Sequence, residues 1–175
     1  KMTKFEPQML TKDQVITLFK GSKGHRLEAF IWLGLTLGLR NGELLALRWS
    51  DIDMKARTLK VERTVTRVVG RFIEGDPKSK KSKRTVALPF FLIDSLKRHS
   101  ERQMVQRAKA GSSWQDLNLV FCNPYGQFRS RTSIQVLMRP LLKKLSLPSM
   151  RVHDLRHNAS TFLQMVLRVP AKMVQ

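Results

Sequence analysis

The sequence predicts a mainly helical α+β fold with a small three-stranded antiparallel sheet, and three observations carry that expectation. Apolar residues recur at helical spacing in the segments that open and close the chain. The stretch from Thr58 to Leu88 alternates instead, and is rich in Thr and Val. Breaks containing Gly, Pro and Ser separate the two kinds of segment. At 175 residues the chain suits one compact domain whose core needs no disulfide or metal staple.

The elements follow in order. Thr11-Lys-Asp-Gln14 reads as a capping box ahead of Val15, Ile16, Leu18 and Phe19. A second helix starts near Arg26 and carries Leu27, Phe30, Ile31, Gly34, Leu35 and Gly38 on one stripe. Asn41 is a plausible N-cap for a short helix ending near Trp49. The sheet is expected from Thr58–Thr66, Val68–Ile73 and Thr85–Leu88, with Gly75 to Arg84 as a basic, turn-rich hairpin tip. Pro89 to about Ala110 reads as a basic helix that breaks at Gly111-Ser-Ser113. Leu119–Cys122 is a strand candidate running into the Asn123-Pro-Tyr-Gly126 turn. Ile134, Leu137, Met138, Leu141, Leu142 and Leu145 mark an amphipathic helix. A last helix runs from His153 to about Leu167, and residues 169–175 open another.

Composition narrows the partner. Lys and Arg number 33 against 13 Asp and Glu, a net charge of +20, and such a field favours a polyanion through counterion release, with nucleic acid first. No apolar run approaches the roughly 18 residues of a membrane span. The single cysteine, Cys122, excludes an internal disulfide and suits a reducing compartment such as the cytoplasm.

Three clusters carry chemistry. Arg40 stands at a helix junction with Glu43 three residues on, and a guanidinium held by a carboxylate presents a planar donor fork to phosphate. A plain surface ion pair is the competing reading. His153 and Arg156 share a helical face, whereas His153 and His157, four apart, have the spacing of a zinc pair. A neighbouring glutamate and a third ligand are missing from that pattern, so no metal is expected there. The tip carries Lys78, Lys80, Lys81, Lys83 and Arg84. It suits a solvated loop on DNA, or a lysine acid whose pKa its neighbours lower.

Together, Gly38-Leu-Arg-x-Gly-Glu-Leu-Leu-x-Leu-x-Trp-x-Asp-Ile-Asp53, Pro77-Lys-Ser-Lys followed by Arg84-Thr-Val, and His153-Asp-Leu-Arg-His157 resemble the three signature segments of the tyrosine recombinase, or phage integrase, family. The resemblance implies the family's catalytic-domain fold over residues 1–175, incomplete at its C-terminal end and without an N-terminal core-binding domain. It implies site-specific recombination, integration or excision, by DNA cleavage and rejoining through a 3′-phosphotyrosyl intermediate, with no cofactor and no metal. Arg40, Lys78, His153 and Arg156 would be catalytic, with Lys80 the alternative hairpin lysine. Glu43 and His157 would support them, and Lys80, Lys81, Lys83 and Arg84 would bind DNA.

The nucleophilic tyrosine is expected outside this chain. The one tyrosine, Tyr125, precedes the His-x-x-Arg segment and is expected to be a turn residue, so the chain alone should be inactive. The partners implied are double-stranded DNA and, for the whole protein, further copies in a synaptic tetramer. The location implied is the nucleoid in the cytoplasm, for a protein encoded by a bacterium or phage. Two alternatives stand beside this reading: a basic DNA-binding module without catalysis, and a metal-dependent nuclease using Asp51 and Asp53.

Overall fold

The computed structural model describes residues 9–76, 83–166 and 168, which group into two compact units. Lys78, Lys80, Lys81 and the helix expected over 169–175 lie outside the described residues.

The first unit combines the chain up to Gly38 with residues from Ile134 onward. Helix α1 spans Lys12–Gly21, and its start is the expected capping box: the Gln14 amide donates to Thr11 Oγ1 at 3.3 Å and the Thr11 amide to Gln14 Oε1 at 3.0 Å. Helix α2, Glu28–Leu37, ends on Gly38 at φ +57°. The sequence predicted one apolar stripe on α2, yet every residue from Glu28 to Thr36 is buried. Glu28 sits inside because its carboxylate accepts the Gly24 amide at 3.0 Å. Phe19 of α1 stacks on Trp32 of α2 with ring centroids 4.2 Å apart, and Phe162 closes the cluster 4.8 Å from Phe19.

Helix α5, Arg131–Lys144, contributes its apolar positions Ile134, Met138, Leu141 and Leu142 to the core from the expected amphipathic face. The single helix expected from His153 to Leu167 is instead three pieces: α6 (Asp154–His157), α7 (Ala159–Thr161) and a π-turn at Phe162–Val166. Asn158 marks the first break. Its Nδ2 donates to the Asp154 carbonyl at 2.7 Å while its Oδ1 accepts the Leu10 amide at 2.7 Å, so the side chain competes with regular helix bonding.

The second unit is continuous, Leu39–Ser133. Helix α3, Asn41–Ala46, leads through a 3₁₀ turn, Trp49–Asp51, into strand β1 (Ile52–Asp53). β1, β2 (Thr58–Val61) and β5 (Arg84–Ala87) form the three-stranded antiparallel sheet, with Leu59 opposite Val86 and Val61 opposite Arg84. β3 (Thr64–Val68) and β4 (Arg71–Gly75) form a separate hairpin. The expected continuous strand Thr58–Thr66 therefore breaks at Glu62 and Arg63. There Arg63 Nη1 reaches Asp51 at 2.6 Å, and the backbone changes partner from β5 to β4. A side chain at Gly42 would collide with the Thr64 hydroxyl and lie 2.9 Å from the Val65 carbonyl, so glycine is what lets α3 rest on β3.

Helix α4, Phe90–Ala110, appears as expected and ends at Gly111. The strand expected at Leu119–Cys122 is reduced to isolated bridges, Arg48 with Leu119 and Cys122 with Phe128. Side chains of α4 replace a neighbouring strand: Gln103 Nε2 donates to the Leu119 carbonyl at 2.9 Å, and His99 Nε2 to that of Val120 at 2.7 Å.

Candidate active site

In the second unit the local chemistry centres on Glu43. Arg40, not Asn41, is the N-cap of α3: its backbone is extended, and its amide donates to Glu43 Oε2 at 3.0 Å. The Arg40 guanidinium also meets Glu43 Oε1 at 2.9 Å, and Arg84, arriving at the start of β5, meets Oε2 at 3.0 Å. The carboxylate side chain is 1% exposed, whereas Arg40 remains 42% exposed. Burial pushes the Glu43 carboxyl upward, but the Arg84 bond, the two Arg40 bonds and the Arg84 charge outweigh it and hold the group below its ordinary value. One buried anion thus fixes two guanidiniums, leaving net positive charge at the surface.

Arg84 was expected on DNA as part of the basic tip, and the structure gives it this internal ion pair. Lys83 pairs with Asp76 at 2.9 Å. Asp51 is buried, accepting the Arg48 amide at 2.9 Å as well as Arg63, and Asp53 Oδ1 accepts the amides of Lys55 and Ala56. These carboxylates close local turns, which leaves little for the two-metal nuclease reading. Among the described residues no group of three or more His, Cys, Asp or Glu is arranged to hold a metal ion. Cys122 is buried, which pushes its thiol up, and Gln103 Nε2 lies 3.1 Å from its sulfur.

In the first unit, His153 is the N-cap of α6 and Arg156 its third residue. The Arg156 guanidinium donates to the Gly38 carbonyl. The His153 and His157 rings meet edge to face, with centroids 4.8 Å apart. His153 is held below its ordinary pKa by burial first and by the His157 charge second, with Arg151 and Arg156 adding and Asp154 opposing. The ring is therefore biased to the neutral form, able to accept a proton.

The supports of this segment were not legible in the sequence. Asp154, fully buried, accepts the Arg151 amide at 2.8 Å. Gln135 of α5 grips the approach to α6 at two points, donating to the Met150 carbonyl at 2.8 Å and accepting the Val152 amide at 3.0 Å. Gly34 lets α6 lie against α2, because an added Cβ would sit 3.2 Å from that of Leu155. A buried amide or carboxylate beside an apolar run was the only available signal.

Tyr125 lies in the turn the sequence predicted. It is 54% exposed, and its amide donates to Asn123 Oδ1 at 2.9 Å. No helix among the described residues is long and apolar enough to cross a membrane.

Comparison with known proteins identifies the family and the fold. A tyrosine recombinase XerC-like protein of Caldanaerobacter subterraneus subsp. tengcongensis is 32% identical over 170 residues, covering 90% of this chain and 44% of that protein. An integrase of Streptomyces ambofaciens is 30% identical over 166 residues, covering 88% and 41%. The chain thus spans less than half the length of these relatives. Among solved structures, the Tn1549 transposon integrase in complex with transposon right end DNA superposes with a TM-score of 0.78 at 20% identity, over 100% of this chain and 59% of that one. XerA recombinase gives 0.67 at 21% identity, over 93% and 51%. The fold is that of these recombinases. The phage integrase family model matches residues 8–175, so the chain belongs to the phage integrase family.

Proposed function

We propose that this chain is the catalytic domain of a tyrosine-type site-specific recombinase, which cuts and rejoins double-stranded DNA through a 3′-phosphotyrosyl intermediate. The observation that carries this reading is the Glu43 carboxylate, buried and clamping Arg40 and Arg84, in a chain of this family. A surface ion pair needs no buried anion, whereas a buried anion that holds Arg40 in one orientation suits a preorganised phosphate receptor.

In this reading Arg40 and Arg156 neutralise the non-bridging oxygens of the scissile phosphate as charge develops on them. His153, biased to the neutral form, handles the proton of the attacking phenol or bonds a phosphate oxygen. The lysine, Lys78 or Lys80, protonates the leaving 5′ oxygen. Glu43 and His157 orient Arg40 and His153. Tyr125 is not the attacking group: its phenol belongs to a surface turn in the Asn123–Gly126 segment. The whole protein would act as an assembly of copies on duplex DNA, consistent with the +20 charge of this chain alone.

The test is adduct formation by the whole protein on a nicked suicide duplex. Arg40→Ala and Arg156→Ala are each expected to lower the yield of covalent adduct by about a hundredfold or more, as when a transition-state charge partner is lost. Tyr125→Phe is expected to leave it intact. Adduct yields indifferent to both arginines would leave only the DNA-binding module without catalysis.

A further inference from the structure

The β3–β4 hairpin has a fixed base and an unusual tip. At the base, Arg48 Nη2 donates to both carboxylate oxygens of Glu74, at 2.9 and 3.1 Å, and the Phe72 ring lies 5.7 Å from that of Phe128. Val65 is buried under α3. At the tip, Val69 has φ +45° and Gly70 φ +80°. A turn with two left-handed residues ordinarily takes Asn or Asp before Gly, and a β-branched residue there is a backbone outlier. Val69 is also 97% exposed, with Val68 and Ile73 about half exposed on either side. Neither local backbone preference nor burial accounts for valine at that position, which points to use.

Charge identifies the partner. Arg71 directly follows the turn and Arg67 precedes it; Arg67 Nε donates to the Gly70 carbonyl at 3.3 Å, which brings its charge up to the tip. Neither arginine meets a carboxylate among the described residues, whereas Arg48 and Arg63 at the base both meet Glu74. An apolar wedge between two arginines on a narrow two-stranded ribbon suits a duplex groove. Apolar side chains enter between base steps in minor-groove complexes, and arginines occupy the narrow minor groove.

We propose that the β3–β4 hairpin is a DNA wedge, in which Val69 enters a base step from the minor groove and Arg67 and Arg71 hold the flanking backbone. This rests on the reading of the chain as a DNA-acting recombinase, and adds a deforming contact outside the residues assigned to cleavage.

The test compares this chain with its V69N and R67Q/R71Q variants on a mixed-sequence duplex carrying 2-aminopurine and a dye at each end. Asn suits the turn, so V69N is expected to fold at least as well as the parent. It should keep the salt dependence of binding but lose the 2-aminopurine unstacking signal and the end-to-end bend. R67Q/R71Q should reduce the slope of log affinity against log salt by about 2. Unchanged unstacking and bending by V69N would overturn the proposal while leaving the recombinase reading intact. Loss of self-association in V69N with DNA behaviour unaltered would overturn it in favour of a contact between copies. If the parent chain shows no salt-dependent binding at all, the recombinase reading falls and the wedge falls with it.

Discussion

Glu43 and Arg84 stand 41 residues apart in sequence and meet at 3.0 Å, the carboxylate buried and the guanidinium 29% exposed. This pair ties the first turn of α3 to the start of β5. Removing the anion leaves two guanidiniums that have lost their shared acceptor, whereas removing Arg84 leaves the anion still paired with Arg40. Glu43→Ala is therefore expected to destabilise the chain by about 2–3 kcal/mol, discounted from the fully buried case because the guanidiniums are partly solvated. Arg84→Ala should cost about 1 kcal/mol. Urea unfolding checks the ranking, and equal losses would contradict it.

Acid should act through the same carboxylate. Its pKa is lowered in the folded chain relative to the ordinary 4.5, so the folded state binds fewer protons than the unfolded one just below that value. The stability it contributes is full above about 4.5 and is lost as pH falls through the lower folded value. Relative to the parent, Glu43→Gln is expected to flatten the pH dependence of Tm in that window, measured by thermal melts from pH 6 downward at fixed ionic strength.

His153 is expected to titrate below 6.5, its ordinary value, because burial and the neighbouring His157 charge both disfavour its cation. The corresponding stability is full above 6.5 and is lost as pH falls through the lower folded value. His157→Gln removes the second cause without removing burial, so the His153 midpoint should rise while remaining depressed. Ring-proton chemical shifts followed by NMR read this directly, and a midpoint unmoved by His157→Gln would refute the coupling implied by the 4.8 Å ring contact.

Two glycines separate steric need from backbone need. Gly38 has φ +57°, yet an added Cβ would lie an ordinary 3.5 Å from that of Ala159. Gly42 has no such dihedral constraint but faces the Val65 carbonyl at 2.9 Å and the Thr64 hydroxyl closer still. Gly38→Ala is expected to cost about 1 kcal/mol through the left-handed conformation, and Gly42→Ala about 1–3 kcal/mol through displacement of α3 from β3. Gly42→Val should cost more again, as thermal unfolding would show.

Local rules were legible in the sequence where one segment decides its own shape. The Thr11 capping box, the α5 stripe and the Asn123–Gly126 turn each follow from residues within a few positions of one another. What escaped was set by distant partners. Alternation alone shows no break at Glu62 and Arg63, because Arg63 leaves the ladder to reach Asp51. Leu119–Cys122 reads as a strand, but its carbonyls are taken by Gln103 and His99. Arg40 and Glu43 were visible as a motif three residues apart, whereas Arg84 completing the clamp was hidden by the loop before it.

The discontinuous first unit has a consequence for how the chain is made. Leu10 and Asn158 are joined across 148 residues and Gly38 with Arg156 across 118, while the second unit is assembled from one uninterrupted stretch. A ribosome delivers Leu39–Ser133 whole before it delivers the partners that α1 and α2 require. The largely buried α2 therefore waits uncovered during synthesis, and contacts of such long sequence separation close slowly. A translational pause placed after residue 133 would lengthen that wait, making the nascent chain more dependent on chaperones without altering a single residue of the finished protein.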